Sequence, residues 1–270
     1  MKSPSSLPDP NRVGVITAAV LLAFALTRLV PSPQYDLRMN LGEFLIEIPL
    51  NLTTGLALLA AGLTATGMDW LLRAHPALGD KSTAEHWLLP TLTTFILAVP
   101  LAVLPAGPVW WAAFTVGGVI LIAVFFAEYV AVDPSAPAYA AATAGLTAVS
   151  FAIHLILVTA LRFAGVRMIL LVPAIFIVAG LIGLRTLHLR MGGRWEFGWA
   201  AVIGLVSTQL AAGLHYWPVS PLQFGLILLG ALYALTSLAV HLGESVPLRR
   251  AMIEPLAGLL LATVAAIFLR

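Results

Sequence analysis

Nine apolar blocks of about twenty residues run through this chain, and about twenty apolar residues are what a helix needs to cross a hydrocarbon core. The blocks span 13–30, 44–66, 87–104, 109–130, 138–161, 166–187, 197–217, 222–241 and 252–269. Lipid offers no partner to a bare N–H or C=O, so each block is expected to satisfy its own backbone as a helix. Period-two alternation is absent, which argues against a β-barrel. The breaks between blocks carry Pro31 and Pro33, Pro105 and Pro108, Pro134 and Pro137, and Pro218 and Pro221. Proline lacks the N–H that helix continuation requires. The expected fold is therefore an all-α integral membrane protein, a polytopic bundle of about nine transmembrane helices.

The charge content agrees. Only 10% of the 270 residues are charged, against about 25% in a typical soluble domain, too few to coat a soluble fold of this size. Residues 1–12 read as a disordered cytoplasmic tail, and 13–270 as a single transmembrane domain. The first block resembles a signal-peptide core in hydropathy but is longer, and Arg28 and Pro31 at its exit make a poor cleavage site, so it reads as a retained helix. The longest non-apolar stretch, 67–86, is too short for a domain.

Several activities are excluded or disfavoured by composition. There is no cysteine, so disulfides, thiolate nucleophiles and cysteine-ligated metals are out. The only lysines are Lys2 and Lys81, both outside the apolar blocks, so a retinal Schiff base has no site. No zinc-protease, P-loop or serine-hydrolase motif is present. The histidines His75, His86, His188 and His241 fall at loops or helix ends, and a haem or pigment site through His154 and His215 is disfavoured. No cofactor and no metal site is expected, and no basic patch suggests nucleic acid as a partner. The expected partners are the lipid bilayer, other membrane subunits in one reading, and an unidentified small molecule in another.

Loop cations set the expected orientation. The side of the N-terminus collects Lys2, Arg12, Arg73, Lys81, Arg185, Arg190, Arg194, Arg249 and Arg250; the other collects Arg28, Arg38, Arg162, Arg167 and Arg270. This bias places the N-terminus in the cytoplasm and the C-terminus outside the cell membrane, although Arg162 and Arg167 oppose it. The tryptophans Trp70, Trp87, Trp110, Trp111, Trp195, Trp199 and Trp217 fall near block ends, as interfacial belts do.

A weak internal repeat is visible at one offset. Pro105 and Pro218, Pro108 and Pro221, and Pro134 and Pro247 are each 113 residues apart (218 − 105 = 113). Extended to the neighbouring blocks, this suggests one helix followed by two groups of four in the same orientation. Parallel repeats of this kind occur in transporters, with substrate sites at repeat interfaces. Recurrent Pro-rich turns between helices of equal length give the plainer explanation.

Polar side chains inside apolar blocks are costly in lipid and mark functional candidates. Glu43, Glu47, Asn51 and Thr54 would share one face of the second helix, and Thr143, Thr147, Ser150 and His154 one face of the fifth. Tyr233, Ser237 and His241 form a stripe in the eighth; Thr208, Gln209 and His215 lie in the seventh. The candidate ligand-binding residues are Arg28, Glu47, Asn51, His154 and His215, which would line a polar cavity in the outer half; no catalytic residue is assigned. Snorkelling of Arg28 and Glu47 to the headgroups, and hydroxyls gluing helices together, explain the same residues without a cavity. Three functions remain: a small permease or carrier, a structural or accessory subunit of a larger membrane complex, and, well behind, a lipid-modifying enzyme using Glu47, His154 and Arg28.

Overall fold

A computed structural model describes residues 7–29, 35–41, 44–50, 52–80 and 82–269, with 29, 35–41 and 44–50 described for their backbone. Among these, nine helices are long and apolar enough to cross a membrane. Packing divides the chain into two units, Met1–Ala142 and Thr143–Arg270.

The first unit begins with α1 (Pro10–Leu29), three residues before the expected block. Asp9 explains the early start: its carboxylate accepts the backbone N–H of Asn11 at 2.9 Å, and Pro10 fits the first helical position, where no N–H is needed. Next come β1 (Tyr35–Leu41), β2 (Phe44–Leu50), α2 (Leu52–Leu72), a 3-10 turn (Ala84–His86), α3 (Leu88–Val103) and α4 (Pro108–Val130). In this unit α1 packs on α2, α2 on α3 and α3 on α4, and α1 also touches α4. Val20, Phe24, Met68, Leu71, Leu97, Leu121 and Phe125 form its core.

The second apolar block is corrected. Residues 44–50 pair antiparallel with β1 instead of opening a helix, and the helix starts at Leu52. The segment Phe44-Leu-Ile-Glu-Ile-Pro-Leu carries two isoleucines, which favour extended backbone, and Pro49, which would deny a helix its bond and clash one turn back. The helix instead continues past Thr66 to Leu72, helped at its end by the Asp69–Arg73 ion pair at 2.7 Å. The all-α expectation thus holds for the spans but not for this hairpin.

The second unit holds most of α5 (Tyr139–Phe163), then α6 (Met168–Arg190), α7 (Phe197–His215), α8 (Pro221–Gly243), α9 (Leu248–Ala251) and α10 (Ile253–Phe268). Helices α6 and α7 lie close because glycine removes the obstructing side chains: a Cβ on Gly204 would stand 2.8 Å from the Phe176 carbonyl oxygen. Helices α8 and α10 meet the same way, at Gly230 against Ala262. The ninth span is broken at Met252 into α9 and α10, where Pro255 lacks the N–H that would bond the Ala251 carbonyl.

Candidate functional site

Two arginines at helix ends organise the two units alike. Arg28, in the last turn of α1, donates to the Leu104 carbonyl and lies 5.3 Å over the Trp110 ring. Arg162, in the last turn of α5, donates to the carbonyls of His215 at 3.0 Å and Trp217 at 3.2 Å, and lies 5.5 Å over Phe224. Leu104 and Trp217 are 113 residues apart (217 − 104), the offset of the prolines beside them. Helix α4 (108–130) shifted by 113 gives 221–243, the bounds of α8.

The arginine contact joins the end of α5 to the end of α7. These helices run in the same direction, so stepping back four residues on each descends one turn on the same face. From Arg162 and His215 the step reaches Val158 and Ala211, which belong to one buried apolar cluster with Leu171, Ile175, Phe224 and Leu228. The next step reaches His154 and Ser207. Both are wholly buried, and neither imidazole nitrogen nor the serine hydroxyl bonds to a described residue. The adjacent Thr208 hydroxyl is buried and equally without a partner. His154 and Ser207 each lie near the middle of their own helix: α5 centres on residue 151 and α7 on 206, so the two sit about 4.5 and 1.5 Å beyond those centres.

In the first unit a pair of buried hydroxyls is satisfied internally. Thr94 is buried with its hydroxyl 2.9 Å from that of Thr64, and Val20 is an apolar core residue.

A second constellation lies in the first unit at the end where α1 begins. His86 Nδ1 is 2.7 Å from Glu128 Oε2, with the carboxylate wholly buried, and His86 Nε2 is 3.3 Å from Glu85 Oε1, whose side chain is 38% exposed. The loop leading to it is pinned: Thr83 donates to Asp69 at 2.5 Å, and the His75 ring packs on Tyr129 at 4.4 Å. His75 Nδ1 accepts the Ala77 N–H at 3.1 Å, which requires a neutral imidazole lone pair. Burial likewise pushes its pKa below the usual histidine range. In the second unit the α8 stripe converges on one carboxylate: Tyr233 and Ser237 donate to Glu254 Oε1 at 2.7 and 3.0 Å, and His241 Nε2 lies 3.4 Å from Oε2.

Among the expected site residues, His154 is wholly buried on α5, and the His215 carbonyl at the end of α7 accepts from Arg162. Arg28 binds the turn after α3 in its own unit. The side chain of Glu47 and the whole of Asn51 lie outside the described residues, as does Glu43. Glu47 is nonetheless corrected in its local structure: it sits in β2 with Arg38 as register partner, not on a helical face with Thr54. Sequence reasoning passed over Glu128 and Glu254, each a lone acid near the end of an apolar block. The signal available was the histidine elsewhere that each acid contacts. Among the described residues no group of three or more His, Asp or Glu side chains is arranged to hold a metal.

Among the described residues, nine helices have the length and apolar composition to cross a membrane, which is the character of a polytopic membrane protein. Residues 30–269 match the family described as "Protein of unknown function (DUF5656)", and the chain belongs to that family. No curated protein and no solved structure matches.

Proposed function

We propose that this protein is a small carrier of the cell membrane, with its N-terminus in the cytoplasm, and that His154, Ser207 and Thr208 contact its substrate. The observation that carries the reading is that three buried polar side chains near the middle of α5 and α7, His154, Ser207 and Thr208, have no hydrogen-bond partner among the described residues. A buried polar group left unpaired costs about 1–3 kcal/mol, so such side chains are expected to hold a hydrogen-bonding guest. Its chemistry selects the guest: an imidazole and two hydroxyls carry donors and acceptors and no fixed charge, which suits a small neutral polar solute. Two similarly clamped groups of helices support a carrier, since transporters are commonly built from repeats with sites near the bilayer midplane.

The test is solute-driven swelling of liposomes containing the purified protein, with glycerol and urea as probes. The expected result is flux above that of protein-free liposomes, reduced at least about tenfold in His154→Phe, a change of about 1.4 kcal/mol in barrier. Swelling equal to protein-free liposomes for both probes, with a native mass far above one 28.5 kDa chain, would replace the carrier by an accessory subunit of a larger complex.

A further inference from the structure

We infer that Glu85, His86 and Glu128 form a proton relay that loads the buried carboxylate of Glu128 from the surface of the first unit. This goes beyond the carrier reading and survives its failure, because it concerns different residues and a different ligand, the proton.

The argument is geometric. A relay needs an exposed group that exchanges protons with water, an intermediate that binds a proton on one atom while releasing one from another, and a secluded acceptor. Glu85 supplies the first, with 38% of its side chain exposed and Oε1 at 3.3 Å from His86 Nε2. His86 supplies the second: the imidazole is buried and its two nitrogens face two different carboxylates. Glu128 supplies the third, wholly buried on α4 with Oε2 at 2.7 Å from Nδ1.

The transfer balances without any further reactant. It starts with Glu85 as carboxylic acid, His86 protonated on Nδ1 and Glu128 as carboxylate. Glu85 gives its proton to Nε2, and Nδ1 gives its proton to Glu128 Oε2. It ends with Glu85 as carboxylate, His86 protonated on Nε2 and Glu128 as carboxylic acid. One proton has moved inward, the imidazole has changed tautomer, and Glu85 is ready to take another from water.

The surroundings favour a relay over a static ion pair. Across the packed elements, the titratable or charged groups around it are His75 after α2, Asp69 and Arg73 at the end of α2, Tyr129 on α4, Asp133 after α4 and Arg12 on α1. Arg73 is committed to Asp69 at 2.7 Å, and Arg12 to the Trp70 carbonyl at 2.9 Å and the Trp70 ring. His75 is held neutral by accepting the Ala77 N–H. The arginines and His75 thus have partners of their own, and His86 Nδ1 lies 2.7 Å from Glu128 Oε2.

Infrared difference spectroscopy of the full-length protein in liposomes, stepped from alkaline to acidic buffer, tests this. The expected result is a protonated-carboxyl band that Glu128→Gln abolishes and Glu254→Gln leaves in place. In His86→Phe its appearance should slow about a hundredfold, the low end of what a positioned proton-transfer group contributes. Persistence of every carboxyl band in Glu128→Gln overturns the inference, as does an unchanged rate in His86→Phe. Should Glu128→Gln fail to fold, Glu85→Gln serves: it lies at the surface and should slow the band's appearance, and an unchanged rate there also overturns the relay.

Discussion

His86 Nδ1 and Glu128 Oε2 stand 2.7 Å apart, with the carboxylate sealed from solvent. They join the 3-10 turn before α3 to the last turns of α4 across 42 residues of sequence. Removing one partner of a buried hydrogen bond strands the other, at a cost of about 1–3 kcal/mol. Glu128→Ala is therefore expected to lower unfolding stability in detergent by that amount. Glu128→Gln, which keeps the shape and one acceptor, should cost clearly less. Equal losses in the two variants would show that the carboxylate's charge, and not its volume, holds the contact.

Arg162 ties the end of α5 to the carbonyls of His215 and Trp217, which have left the regular α7 ladder. Arg162→Met keeps most of the aliphatic stem and removes both hydrogen bonds and the cation over Phe224. A loss of about 1–3 kcal/mol is expected, read as a lower midpoint of thermal unfolding. Arg28→Met should behave in the same direction, since Arg28 performs the same task on Leu104 and Trp110.

His154 makes the opposite prediction. With no guest bound, His154→Leu removes a buried imidazole that has no protein partner. Stability in guest-free detergent should rise by about 1 kcal/mol or more. A fall would mean that His154 is satisfied within the protein, and would remove the basis of the carrier reading.

Helix contacts at glycine give a packing test. A Cβ at Gly204 would meet the Phe176 carbonyl at 2.8 Å, whereas one at Gly213 on the same helix meets nothing within 4 Å. Gly204→Ala is expected to cost about 1–3 kcal/mol through displacement of α6 from α7. Gly213→Ala should be neutral or slightly stabilising, because alanine favours helix. Thermal unfolding of the two variants side by side reads the difference.

His75 makes the pH dependence specific. Burial, and then His86, hold its pKa below the ordinary histidine value, against Asp133, which favours the charged form. A base with a lowered folded pKa binds more protons when unfolded, so protonation favours unfolding. Its contribution to stability is full above the unfolded value and is lost as pH falls below it. His75→Phe, which retains the ring contact with Tyr129, should flatten the stability–pH curve on the acid side of the ordinary histidine pKa, measured by denaturant unfolding across that range.

The sequence by itself determined the membrane class, the number of spans and most of their ends. That followed from one strong constraint: a backbone in lipid must satisfy itself, so helix length and apolar run length coincide. The exception was 44–50, as apolar as a span, where Pro49 and strand pairing with 35–41 prevailed. The prolines of the α3–α4 and α7–α8 turns were also legible, because their chemistry is local. The site was legible only in part. His154 stood out as the deepest histidine, but that its imidazole and the hydroxyls of Ser207 and Thr208 are buried without hydrogen-bond partners emerges only from the structure. The same holds for Glu128 with His86 and for Glu254 with the α8 stripe. A lone acid in an apolar run carries no sign of its partner, because the pairing depends on which faces of distant helices meet. Tertiary structure decides that through side-chain packing and glycine contacts, which composition and spacing do not encode.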